Sequence, residues 1–267
     1  MIFNIDRILP LNLRLNLHLN LHLLLLLFLL SSCTGERAPD CLQTAGELLK
    51  EELVTEDFDR LTVYENVRAV IKYGPEFKLE VETGTNLRGD VSALVKDGRL
   101  ELRNGNSCNL FRDYGLTTFY ITAPDLKEIR SSTGLPIESD GVLPYDDLLL
   151  QSESFGNPEA PTTDGSFDLS LNSQTIRIVT NGIAYFKLRG AAENLALNIA
   201  AGDSRIEAEG LLAGNVTVDH RGSNDMLVNP RMALQGQIRG TGDVISFNRP
   251  EAVEVEILYK GRLIYRD

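Results

Sequence analysis

The chain has 267 residues, with 26 Lys and Arg set against 38 Asp and Glu, for a net charge of −12. An acidic surface repels phosphate backbones and argues against nucleic acid as a partner. Three His and three Cys offer little for a metal site of imidazole and thiolate, while the length suffices for one large β domain or two small ones with a proper core.

In chain order, the first feature is the apolar run Leu23 to Leu30, followed by Ser31-Ser32-Cys33. A Leu three before a Cys, with two small residues between, resembles the lipobox of bacterial lipoproteins. A membrane-spanning helix is the competing reading, but it takes about 20 mostly apolar residues. Upstream of Leu23, Leu alternates with Asn12, Arg14, Asn16, His18, Asn20 and His22. A short apolar core behind basic Arg7 and Arg14 is signal-peptide geometry. The expectation is therefore a signal peptide over residues 1–32, a lipid on Cys33, and an anchored tail over 33–47. Loss of Arg7, Arg14 and Asp6 leaves 24 basic and 37 acidic residues, net −13. With no polybasic patch, the membrane partner is reached through the acyl chains alone.

Cys41 and Cys108 remain as an even pair. Export places them in an oxidising compartment, where a disulfide is expected. Closing such a loop contributes about 4 kcal/mol in the chain-entropy account.

From residue 48 the chain reads as all-β. Glu51 to Thr62 gives a lead-in strand and turn. Val67 to Tyr73 and Phe77 to Glu82 alternate around Gly74-Pro75. Val91 to Lys96 and Arg99 to Leu102 flank Asp97-Gly98, a hairpin signal because both central residues of a type I′ turn need positive φ. Thr117 to Thr122 is a further strand, so hairpins are expected in the N-terminal part. Leu126 to Gly134, Leu148 to Phe155 and Phe167 to Leu171 follow as irregular repeat units. A Pro- and Gly-rich loop insertion lies near 156–165.

The second half carries a repeat. Gly182, Gly202, Gly222 and Gly242 fall 20 residues apart, and Gly190, Gly210, Pro230 and Pro250 do the same. Alternating segments precede and follow each glycine. A fixed period near 20 with short strands predicts a parallel β-solenoid, in which stacked coils build one core. The four glycines are read as rung-turn residues that supply positive φ, and the second set as closing each unit. Val253 to Leu258 and Gly261 to Tyr265 are read as a last strand pair capping the stack.

The chain resembles the bacterial lipoproteins that carry the head GIN domain, a family of auto-transporter adhesins. The resemblance rests on Asp40-Cys41 and Gly46, Phe58 to Val63 leading into Val67, Val95-Lys96-Asp97-Gly98-Arg99-Leu100, Cys108-Asn109, and Ala123-Pro124-Asp125-Leu126. It continues in Gly240-Thr241-Gly242-Asp243 and Tyr259 to Tyr265. It implies a parallel β-solenoid over 48–267 and no catalytic set.

Two function classes follow. The first is a lipid-anchored, non-catalytic envelope protein, in the outer membrane, that binds a glycan or protein ligand or serves as a scaffold. No cofactor or metal is expected. The second is a polysaccharide-degrading enzyme, for which two carboxylates about 5–10 Å apart are required. Asp140, Asp146, Asp147 and Glu153 are its candidates, with an acidic turn as the simpler reading. His220, the one imidazole after the signal, is read as an exposed residue beside a turn glycine. Gly202-Asp203 and Gly242-Asp243 read as turn chemistry rather than calcium sites. Phe111, Arg112 and Tyr114 form either a contact patch or a packed loop. Tyr185 and Phe186 read as surface and core neighbours on one strand.

Overall fold

The computed structural model describes Asn20, His22 and residues 40–267, apart from 107, 109, 111, 157–159 and 267. The segment expected to be a signal peptide, apart from those two residues, and Cys33 and Phe111 lie outside the described residues. The protein is all-β, and its described strands form one strongly curled mixed sheet of 17 strands. In chain order the strands are β1 (Leu48–Leu53), β2 (Arg60–Val63), β3 (Val67–Tyr73), β4 (Lys78–Gly84), β5 (Val91–Lys96), β6 (Arg99–Asn104), β7 (Thr117–Ala123), β8 (Glu128–Ser131) and β9 (Pro136–Leu143). They continue as β10 (Asp147–Ser152), β11 (Ser166–Thr180), β12 (Tyr185–Ile199), β13 (Arg205–His220), β14 (Met226–Ile238), β15 (Val244–Ser246), β16 (Ala252–Ile257) and β17 (Leu263–Tyr265).

The pairings resolve into two ladders that share the long strands. The first runs β1-β4-β7-β3-β9, then through the first halves of β11 to β14, then to β15 and β17. The second runs β5-β6-β2-β8-β10, then through the second halves of β11 to β14, then to β16. From β8 onward every step is parallel, and the register advances by about one repeat: Phe167 lies beside Phe186, Phe186 beside Ile206, and Ile206 beside Met226.

Strict alternation makes this possible. In β11, Phe167, Leu169, Leu171, Ile176 and Ile178 all point inward and are buried. Period-2 side chains put those residues on one face, and parallel neighbours repeat the pattern. One apolar cluster runs from Phe58 to Val244. Phe167 and Phe186 stack within it, with ring centroids 4.7 Å apart.

Several expectations need correction. Gly190, Gly210 and Pro230 do not close units; they lie inside continuous strands of 13 to 16 residues. They sit at a corner where the strand bends from the first ladder to the second, and the register slips nearby, between Lys187 and Arg189 in the β12–β13 pair. Among the described residues only Asp97-Gly98 is a tight hairpin turn, with φ of 51° and 74°. Gly74-Pro75 does not pair its flanking strands: β3 joins β7 and β9, and β4 joins β1 and β7. Stacking is also out of chain order early on, because β2 and β3 lie between β6/β7 and β8/β9.

Candidate functional site: outer faces and the tail

The other corner, between the second ladder and the first, holds the repeat glycines. Asp203 donates its N–H to the Gly182 carbonyl at 2.8 Å, Ser223 to Gly202 at 3.0 Å, and Gly242 to Gly222 at 3.1 Å. Only Gly202 of the four has positive φ, at 87°, so the expected conformational reason fails for the others. Close approach is the physical reason for Gly182 and Gly242. A Cβ on Gly182 would stand 2.1 Å from the Thr163 carbonyl oxygen, and one on Gly242 would stand 2.0 Å from that of Asn224. The insertion near 156–165 therefore does not simply leave the body. Thr163 and Gly165 accept N–H groups from Ile183 and Tyr185, at 3.0 and 2.7 Å, and act as the corner beneath Gly182.

His220 is buried, contrary to the exposed position expected of it. It lies in register between Ile199 and Ile238 on the inward column. Gly222 donates its N–H to Nδ1 at 3.3 Å, and Nε2 has no partner among the described residues. Burial lowers its pKa, against the opposing pull of the Asn224 backbone and of Asp225, Asp243 and Asp219. A neutral imidazole in the core, without a nucleophile, is a packing group.

The candidate carboxylates do not converge. Asp140 is exposed and pairs with Lys72 at 3.2 Å. Asp146 and Asp147 face solvent at the start of β10. Glu153 is buried and accepts from Arg130 Nη1 at 2.7 Å and from the Gly156 N–H at 2.9 Å. Burial pushes its pKa up, but the Gly156 N–H and the Arg130 guanidinium prevail and hold it below the usual carboxylate range. A general acid needs the reverse shift. Among the described residues no group of three His, Cys, Asp or Glu could hold a metal. Asp203 accepts the Ser223 hydroxyl at 2.6 Å, and Asp243 accepts the Arg262 N–H at 2.8 Å, which spends both on turn geometry.

The two outer faces differ in character. On the first ladder, charges satisfy one another. Arg189 pairs with Asp168, and Arg205 pairs with Glu207 at 2.7 Å and with Asp225 at 3.8 Å. Tyr185 donates its hydroxyl to Glu207; burial and that carboxylate push the phenol up to about 12. On the second ladder the outward positions are mostly amides and hydroxyls: Thr175, Asn194, Asn198, Asn215, Thr217, Gln235 and Gln237. They form short ladders, with Asn215 donating to Asn194 at 3.0 Å and Gln235 to Thr217 at 3.1 Å. Sequence reading missed this face, although the polar positions alternating with Ile176, Leu195, Val216 and Leu234 carried the signal.

At the N-terminal end, Cys41 and Cys108 are joined by a disulfide, with Cα atoms 4.5 Å apart. Arg112 donates to the Gln43 carbonyl at 3.1 Å and to that of Cys108 at 2.6 Å, which makes it part of a stitched loop. Tyr114 is exposed nearby. Behind them a polar cavity of about 20 Å³, lined in part by Asn66, Asn104, Asn106 and Thr117, has room for one water. Among the described residues no helix is long and apolar enough to cross a membrane.

The family described as "Putative auto-transporter adhesin, head GIN domain" matches residues 57–250. No curated protein matches the chain. Among solved structures, an adhesin so described from Bacteroides fragilis is similar over 84% of this chain and 99% of its own, with TM-score 0.72 at 19% identity. Another from Parabacteroides merdae covers 84% and 98%, with TM-score 0.61 at 16% identity. A protein from Parabacteroides distasonis, described as lipid binding, covers 84% and 99%, with TM-score 0.61 at 13% identity. At these identities the likeness establishes the fold. Because the family match spans most of the sequence, this chain belongs to the head GIN domain family.

Proposed function

We propose that this protein is a non-catalytic adhesin or scaffold, held at the outer membrane by a lipid on Cys33, with a β-solenoid of period near 20 as its contact surface. The amide- and hydroxyl-rich face of the second ladder binds the ligand, a glycan or a protein surface. The observation that carries this reading is the contrast between the two faces. Across β11 to β14, charges on the first ladder are largely consumed in pairs, whereas the outward positions of the second are chiefly neutral donors and acceptors, with Arg177 exposed and Asp219 paired with Arg239. Adjacent strands lie about 4.8 Å apart, so these groups form a regular polar lattice. Such a lattice suits hydroxyl-rich polymers, which are held by many neutral hydrogen bonds, each contributing about 1 kcal/mol. Catalysis on this scaffold has only fold-level analogy behind it, and the carboxylates are dispersed.

The test has two parts. Mass spectrometry of the N-terminal peptide from intact cells reads the acyl group on Cys33, and surface proteolysis reads which side is exposed. The purified mature chain is then screened against glycan arrays and matrix proteins, beside the face variant Thr217→Lys/Gln235→Lys and the opposite-face variant Lys187→Glu. Binding lost only in the face variant supports the reading. An unmodified Cys33 overturns the anchor, and cleavage of a polymer without binding overturns the adhesin.

A further inference from the structure

The tail is not a loose linker once it reaches Cys41. The disulfide fixes it to the loop after β6. Leu110 donates its N–H to the Cys41 carbonyl at 3.3 Å, and Asn86 donates to that of Ala45 at 3.1 Å. The Gln43 side chain reaches the Asn86 carbonyl at 2.8 Å, and the Asn86 amide reaches that of Thr44 at 3.0 Å. Gly46 permits the close approach: it has φ of 75°, and a Cβ there would meet the Thr85 hydroxyl at 2.3 Å.

Around this stitched end stand apolar side chains with no cover among the described residues. Leu42 is 40% exposed, Leu48 65%, Leu110 68% and Tyr114 74%. Leu48 and Leu110 line one open cleft of about 810 Å³ together with Leu116 and Arg112. A second exposed apolar group, Ile257, Leu258 and Tyr259, stands at the far end of the stack, and the chain's net charge of −12 offers a membrane no general electrostatic attraction.

We infer that this patch is a membrane-resting foot, seated in the lipid interface beside the anchor. The inference rests on the lipidation of Cys33 proposed above. Only residues 34–39 separate Cys33 from Asp40, and such a leash spans about 25 Å at full extension. The patch is thus confined to a shell around the bilayer, where the effective concentration of lipid far exceeds that of any soluble partner. Leu with Tyr is also the composition that settles at the boundary between headgroups and acyl chains. The foot fixes the body's orientation and turns the opposite end of the stack, with β16 and β17, away from the membrane.

The sequence contains no Trp, so one introduced Trp reports its own surroundings. The chain from Cys33 onward is coupled through its free thiol to a maleimide lipid in phosphatidylcholine vesicles, with or without brominated acyl chains. Leu110→Trp is compared with Tyr259→Trp at the far end, and Tyr114→Trp serves if the first variant folds poorly. The expected result is a blue shift and at least about twofold quenching by brominated lipid at position 110, unchanged in high salt, with neither effect at 259. Adding Leu42→Ser and Leu48→Ser to Leu110→Trp should abolish the quenching. Equal emission with both lipids overturns the foot. So does equal quenching at 110 and 259, or a blue shift that follows protein concentration rather than lipid, which would assign the patch to a second copy. Because the lipid is attached chemically, these outcomes are independent of whether cells acylate Cys33.

Discussion

Substituting Gly240 tests how tightly successive turns of the chain pack at this corner. Gly240 is buried and has no positive φ. An ideal Cβ there would stand 2.1 Å from the Gly222 carbonyl oxygen and 2.7 Å from the Arg221 carbonyl carbon. Real Cβ atoms do not come within 3.0 Å, so the two rungs must separate locally by about 1 Å. The Gly222 oxygen also accepts N–H groups from Thr241 and Gly242, both at 3.1 Å. Losing or stretching two such bonds costs about 1 kcal/mol each, and strain in the displaced backbone adds about 1 kcal/mol. Gly240→Ala should therefore destabilise by about 3 kcal/mol, a large share of a typical stability of about 5–15 kcal/mol. Gly141→Ala is the control. That glycine has φ of 89° with nothing within 4 Å of its Cβ position, so only the left-handed penalty of about 1–2 kcal/mol applies. Equilibrium urea denaturation gives both values, with unchanged m confirming that the unfolded reference is the same. If Gly240→Ala proves no more costly than Gly141→Ala, the close-stacking argument is wrong.

Other substitutions probe charge. Arg130 and Glu153 are a buried pair, so Glu153→Leu or Arg130→Met alone should cost about 3 kcal/mol, while the double variant should recover most of it; additive losses in a double-mutant cycle would refute the pairing. His220 has a lowered pKa when folded, so below the ordinary imidazole value of about 6.5 the unfolded chain binds a proton that the folded chain does not, and stability should decline as pH falls from there toward the lowered folded value. His220→Leu, flanked by Ile199 and Ile238, should flatten that slope; a slope of equal size in the variant would assign it to other groups. The outer edge of β16 is unpaired among the described residues, and an antiparallel second copy centred on Val255 would set Glu254 against Glu256. Glu254→Thr/Glu256→Thr should therefore raise self-association in sedimentation experiments, because charged edges resist strand addition; a variant that stays monomeric would show that the edge is protected otherwise.

Much of the second half was legible because its information is local. Alternation in Thr175 to Val179 and Leu195 to Ile199 fixes which face is inward, and the 20-residue spacing sets the parallel register. What escaped reading depends on neighbours one coil away. Gly182 and Gly242 follow from carbonyl oxygens of preceding coils, which no property of their own segments reveals. His220 looked like a turn residue because Gly222 follows it, yet its parity with Val216 and Val218 places it on the inward face. Gly190, Gly210 and Pro230 looked like ends because such residues weaken regular strands, but a strand that bends at a shared corner uses them without ending. The acidic positions 140–153 looked like one cluster only in one dimension; the pleat and the corner send Asp140 outward and Glu153 inward. The second-ladder polar face was readable in principle from the same alternation that revealed the core.

The early strands constrain how the two ends of the molecule communicate. Because β2 pairs with both β6 and β8, and β3 with both β7 and β9, the segment that follows edge strand β1 is not a peripheral cap. It is inserted within the stack, and its removal would leave β6/β7 and β8/β9 each with an open edge. The disulfide and the β1–β4 pairing tie the tail to the same region. Force applied at the tail therefore meets the disulfide and the antiparallel edge strand β1 first, and only behind them the parallel strands β2 and β3, which are held on both sides. From there β11 to β14 continue the ladders without a break to the face proposed for binding. A tail tied covalently to the loop after β6, followed by an uninterrupted run of parallel strands, is the arrangement that the proposed load-bearing contact between membrane and ligand would use.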